Sequence, residues 1–131
     1  MLIDTSGFFA LNSEKDKNYG SAIELFGQSR RRVTTNYILA EYVALALVRG
    51  LPRRDVLAFS EEVLFDTTIE IIWVNQSQHI QAVELLQQRL DKTYSLCDAV
   101  SFVLMRERQI NEALTTDKHF VQEGFVRLLE P

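Results

Sequence analysis

The chain opens on a very short apolar segment, Leu2-Ile3-Asp4, followed by Thr5-Ser6-Gly7, which can cap a helix carrying Phe8, Phe9 and Leu11. Between Asp16 and Ser29 the apolar positions Tyr19, Ala22, Ile23, Leu25 and Phe26 recur at helical spacing, and the run Arg30-Arg31-Arg32 ends that helix. Val33 and Thr34 predict a short strand. A helix from Asn36 to Val48 follows, stopped by Gly50 and Pro52 in a turn, and a second helix from Arg53 to Leu64 completes a hairpin. Ile69 to Val74 is β-branched and aromatic and predicts a strand, whereas Ser77 to Leu90 returns to helical periodicity through Ile80, Val83, Leu86 and Leu90. A further helix is expected from Ser95 to Glu107, with short strands at Ala113–Thr115 and Phe125–Leu129. Strands separated by helices imply parallel pairing through crossovers, hence a three-layer α/β domain: a short central parallel sheet flanked by helices. No linker, repeat or low-complexity tract interrupts the pattern, so residues 1–131 are expected to form a single domain.

With 131 residues, 47% of them apolar, the chain has ample material for one packed core. It contains no uninterrupted apolar run of about eighteen residues and no secretory leader pattern, which predicts a cytoplasmic protein without membrane association. The single cysteine, Cys97, excludes an intramolecular disulfide and a cysteine-built zinc cluster, and is expected to be a small buried hydrophobe. The net charge of −4 runs against a broadly basic surface, so any contact with nucleic acid must be local. Arg30, Arg31 and Arg32, with Arg49, Arg53 and Arg54 around the next turn, could reach phosphates, although as a rule such runs are solvated ends of helices.

Candidate chemistry rests on carboxylates. Glu41 is the only charge between Val33 and Val48, a stretch dominated by aliphatic residues, so its helix is expected to be mostly buried. A lone carboxylate there needs protonation, a cationic side chain or a metal ion to offset desolvation, unless it sits at the rim. Ser95-Leu-Cys-Asp98 matches a capping box, which by itself could explain Asp98. Asp4 and Asp117 each stand where a strand gives way to a helix, where aspartate is a common cap. The joint pattern says more than its members, because in a parallel sheet the strand C-termini share one edge, where ligands bind. Asp4 and Asp117 belong to that edge, Asp98 lies beside it, and Glu41 joins by projecting inward. Four such charges in a partly desolvated pocket require cations, and carboxylate-only ligation selects Mg²⁺ or Mn²⁺ over zinc. Thr5, Ser6, Thr115 and Thr116 flank the acids; Ser6 and Thr115 in particular are expected to orient ligands or bound water. His79 and His119 lack a partner at a metal-binding spacing and are expected at the surface.

Taken in order, Leu-Ile-Asp4-Thr-Ser6, Thr-Asn-Tyr-Ile-Leu-Ala-Glu41, Tyr-Ser-Leu-Cys-Asp98-Ala and Leu-Thr-Thr-Asp117-Lys-His-Phe resemble the four acidic blocks of the PIN-domain family, especially the VapC-type toxin ribonucleases. The likeness spans nearly the whole chain. It implies a Mg²⁺- or Mn²⁺-dependent endoribonuclease in which Asp4, Glu41, Asp98 and Asp117 are the catalytic, metal-holding residues. It also implies a water nucleophile leaving 5′-phosphate and 3′-hydroxyl ends, an RNA substrate, a homodimer and silencing by a cognate antitoxin. Some of Phe8, Phe9, Leu11, Ile23 and Phe26 could meet that antitoxin, although helical apolar stripes ordinarily face the core. Alternatives are a structure-specific DNA nuclease with a similar acidic centre, and a silent PIN domain serving as a protein-binding module. A phosphorylatable receiver domain is disfavoured because Asp4 is followed by Thr-Ser-Gly rather than an adjoining acid.

Overall fold

The computed structural model describes residues 1–131 and contains five strands and seven helices. In chain order these are β1 (Leu2–Ile3), α1 (Thr5–Asn12), α2 (Tyr19–Gln28), β2 (Val33–Thr35), α3 (Asn36–Val48), α4 (Arg53–Phe65) and β3 (Glu70–Ile72). There follow α5 (Gln76–Gln87), α6 (Leu96–Glu107), β4 (Glu112–Leu114), α7 (Lys118–Gln122) and β5 (Val126–Arg127). All four strand pairings are parallel, and the sheet runs β3-β2-β1-β4-β5. The predicted α/β class and its alternation of strands and helices are therefore observed.

The strand order reverses direction between β1 and β4. From β1 the chain winds outward to β2 and β3, then returns across the sheet to lay β4 on the other side of β1 and continues to β5. At such a switch point the connections leave in opposite directions and open a crevice beyond the strand C-termini. Asp4 and Thr115 are the residues that immediately follow β1 and β4 there.

The core is one cluster in which β1, the centre of the sheet, is wholly buried at Leu2 and Ile3, together with Val33, Ala113 and Leu114 from its neighbours. Phe8, Tyr42 and Phe59 meet edge-on or tilted, joining α1, α3 and α4 on one side. Phe102 of α6 packs against Tyr94, Phe120 and Phe125. Gly7 is required by a close approach: a Cβ there would lie 2.1 Å from the carbonyl oxygen of Leu114, so α1 presses directly on the end of β4.

Several local expectations shift. α2 starts at Tyr19 rather than Asp16, because the Asp16 side chain accepts the Asn18 amide and holds a turn instead. α3 is not mostly buried: Ile38, Tyr42 and Ala46, one residue per turn, face the core, while Leu45 and Val48 are exposed. α5 ends at Gln87, leaving Leu90 outside it and 87% exposed. The strands predicted at 69–74 and 125–129 contract to β3 and β5, with Ile69, Phe125 and Leu129 buried beyond their ends.

Candidate active site

Asp4 leaves β1 in extended conformation and occupies the cap position of α1, yet its side chain makes no capping hydrogen bond. Its carboxylate is 6% exposed and turns to the crevice, where Oδ2 accepts from Thr115 Oγ1 at 2.8 Å. Thr115 spends its one hydroxyl proton on Asp4, so Ser6 is the donor in the 3.0 Å contact between the Ser6 and Thr115 hydroxyls. The Asp117 amide donates to Thr115 Oγ1 and the Thr116 amide to Ser6 Oγ. Ser6 and Thr115 thus fasten the start of α1 to the segment after β4 and fix Asp4 relative to Asp117.

Glu41 reaches the same crevice from α3. Thr5 Oγ1 donates to its Oε1 at 2.6 Å, and Glu41 lines with Asp4, Ser6 and Asp117 a cleft of about 270 Å³ whose outer wall includes Phe9 and Arg49. Asp98 comes from the first turn of α6. Its capping box is real, for Ser95 Oγ accepts the Asp98 amide and Asp98 Oδ2 accepts the Ser95 amide. That bond leaves Oδ1 free, so capping and a role in the crevice coexist. Asp117 also caps, its Oδ1 accepting the His119 amide at the start of α7.

His119 corrects the expectation of a surface residue. Its ring is 16% exposed, with Nδ1 at 3.1 Å from Asp98 Oδ2 and 3.3 Å from Asp117 Oδ1. Because carboxylates only accept, Nδ1 carries hydrogen in this arrangement. Nε2 meets Thr93 Oγ1 at 3.0 Å and the Tyr94 ring lies edge-on to the imidazole. The Asp-x-His spacing alone gives no such signal, since the second carboxylate comes from a separate helix. His79 is half-buried and hydrogen-bonded to the Tyr37 hydroxyl. Cys97 is half-buried rather than buried; burial and the charges of Glu41, Asp4 and Asp98 push its thiol upward.

The electrostatics follow from crowding. Burial pushes the Asp4 carboxyl up to about 7; the Asp98 and Glu41 charges add to the rise, and the Thr115 hydroxyl opposes it. Burial, then the charge of Asp117, also raises Asp98, against the Ser95 amide and His119. No lysine or arginine forms an ion pair with any of the four acids. By contrast Glu123, equally buried, is paired with Arg89 and Arg106, accepts from Tyr94, and is held below the usual carboxylate range despite its burial. The crevice acids therefore lack the compensation that a structural carboxylate has in this same chain. Carboxylate oxygens of Asp98 and Asp117 lie within 4.8 Å of one another and of the His119 imidazole, whose Nδ1–H orients them, and hard carboxylate oxygens dominate the set. The residues present fit a divalent cation.

An acidic crevice at the switch point of this parallel sheet defines a nuclease of PIN type, and the chain belongs to the VapC family of PIN-domain ribonuclease toxins. Among its relatives is the 23S rRNA-specific endonuclease VapC20 of Mycobacterium tuberculosis, 31% identical over 129 residues that cover 98% of this chain and 97% of the relative. The crystal structure of M. tuberculosis VapC20, described as a Sarcin-Ricin loop cleaving toxin, superposes with a TM-score of 0.87 at 29% identity, covering 99% and 98% of the two chains. No protein-family model matches the chain.

Proposed function

We propose that residues 1–131 form one nuclease domain, a cytoplasmic endoribonuclease dependent on Mg²⁺ or Mn²⁺ and the toxin of a toxin–antitoxin pair. Asp4, Glu41, Asp98 and Asp117 are its catalytic, metal-holding residues, with Ser6 and Thr115 supporting. The observation that carries this reading is the gathering of these carboxylates, two of them buried, with no lysine or arginine paired to any. When bound, a divalent cation supplies Lewis acidity toward the scissile phosphate and the attacking water.

The chain's own residues prepare that chemistry. Thr115 and Ser6 hold Asp4, Thr5 holds Glu41, and the Ser95 amide and His119 fix Asp98. Such hydrogen bonds set carboxylate orientation and leave the remaining lone pairs for cation and water. Glu41 can hold a cation or orient water that approaches the cleft, and with water as the nucleophile the RNA 2′-hydroxyl is not needed. Ribosomal RNA is the proposed substrate, by analogy with the VapC20 relative. An antitoxin would cover the acids with a basic side chain, and the apolar groove of about 190 Å³ lined by Leu11, Ile23, Phe26 and Phe59 suits its hydrophobic segment. A homodimer is proposed on family membership alone.

The test is incubation of purified protein with total RNA and with ribosomes, with and without Mg²⁺ or Mn²⁺, beside an Asp98→Asn variant, followed by mapping of new 5′ ends. Cuts bearing 5′-phosphates that need metal and vanish in the variant are expected. Cleavage that persists in EDTA, or equal activity on DNA, would overturn the proposal.

A further inference from the structure

A nuclease with an acidic centre must hold a polyanion beside its own carboxylates, a severe demand on a chain of net charge −4. Arg49 is the basic side chain that lines the acidic crevice. Arg89, Arg106 and Arg108 are committed to carboxylates, and Lys92 pairs with Asp91. Arg31 donates to the Arg108 carbonyl, and Arg32 donates to the Phe26 carbonyl while stacking on the Phe26 ring. Arg49 differs from all of these. It lines the crevice with Asp4, Glu41 and Asp117, its guanidinium lies 4.1 Å from the centroid of the Phe9 ring, and its side chain makes no hydrogen bond or ion pair. A ring beneath the guanidinium restrains its plane without consuming its donors, so its five N–H groups remain without a protein acceptor.

We propose that Arg49, mounted on Phe9, grips an RNA backbone phosphate next to the scissile one and is the principal cationic anchor for substrate. This rests on the nuclease reading above and adds to it the group that holds the strand. A planar fork matches two phosphate oxygens, which a lysine ammonium cannot do. The position also separates labour within the cleft: carboxylates at its floor attract cations, and the guanidinium at its rim receives the anion. Arg49 caps the C-terminus of α3, where a positive charge is favourable to the helix in any case. The experiment must therefore separate a helix-capping role from an RNA-binding one.

The wild type and the variants Arg49→Ala, Arg49→Lys and Phe9→Leu are titrated in EDTA against two labelled probes, an RNA hairpin of the sarcin–ricin loop sequence and poly(U). Fluorescence anisotropy is read over a series of salt concentrations. Arg49→Ala is expected to weaken binding to both probes by about tenfold and to lower the salt slope by about one, as for loss of a phosphate contact. Arg49→Lys and Phe9→Leu should fall between. The rise in melting temperature on adding Mn²⁺ should be at least as large in Arg49→Ala as in the wild type, because the acids are untouched and a neighbouring positive charge is gone. Unchanged affinity with a lowered melting temperature would make Arg49 a helix cap and overturn the inference. Loss confined to the hairpin would assign it to base reading and overturn it equally. If the wild type cleaves RNA with metal yet Arg49→Ala binds normally, the inference fails alone; if the wild type neither binds nor cleaves RNA, the nuclease reading fails with it.

Discussion

Replacing Asp4 by asparagine removes the most costly charge in the molecule while keeping an oxygen to accept from Thr115. The carboxyl titrates at about 7 in the folded chain against 3.8 for the free side chain. A gap of about three units corresponds to about 4 kcal/mol at 1.36 kcal/mol each. The sign follows from proton counting. Between these two values the folded state holds a proton that the unfolded chain has released, so stability falls as pH rises through this window and levels off above about 7. Asp4→Asn has no proton to lose there. In EDTA the variant should melt with the wild type near pH 4 and increasingly above it toward pH 8. The full relief of about 4 kcal/mol corresponds to roughly 10–15 °C for a chain of this length. Thermal unfolding followed by circular dichroism at several pH values gives the difference between the two proteins, which cancels every other titrating group. Saturating Mn²⁺ should then raise the wild type more than the variant. A variant that melts in parallel with the wild type at all pH values, or below it at pH 8, would refute the claim that Asp4 is buried at a cost and needs a cation.

Other outcomes follow from single contacts. Gly7→Ala should destabilise by about 3 kcal/mol or more, because its Cβ meets the Leu114 backbone carbonyl rather than a movable side chain; chemical denaturation measures this. His119→Ala should weaken divalent-cation binding by about 10–100-fold, the usual effect of losing a partner that orients a ligand, as read by isothermal titration with Mn²⁺. Cys97 should resist alkylation by iodoacetamide at pH 8, since burial first and the nearby acids second keep the thiol protonated; unfolding in urea should restore its reactivity.

The elements and the acidic blocks were readable because their signals are local. Periodicity over a turn or two marks α5 and α6, and Ser95 with Asp98 announces its own cap. That Asp4 and Asp117 share the edge of strand C-termini required only the rule for parallel sheets, and the Thr115 hydroxyl that joins Asp4 to the Asp117 amide agrees with it. What was not readable depends on contacts between distant segments. His119 is drawn inward by Asp98 from α6, and Arg49 meets Phe9 across the packing of α3 against α1. The burial of α3 was overestimated because an apolar run states what could be covered, not which face a neighbouring helix reaches.

The bond from Thr115 to Asp4 spans 111 positions. Closing so large a loop is among the slowest and latest steps available to a chain, since entropy opposes it until the intervening segments have packed. During synthesis, the half of the centre that emerges first must wait for the half translated near the end. Asp4 and Glu41 alone therefore make only half of the acidic centre, and the other half, Asp98 and Asp117, joins them only once the segments between have folded.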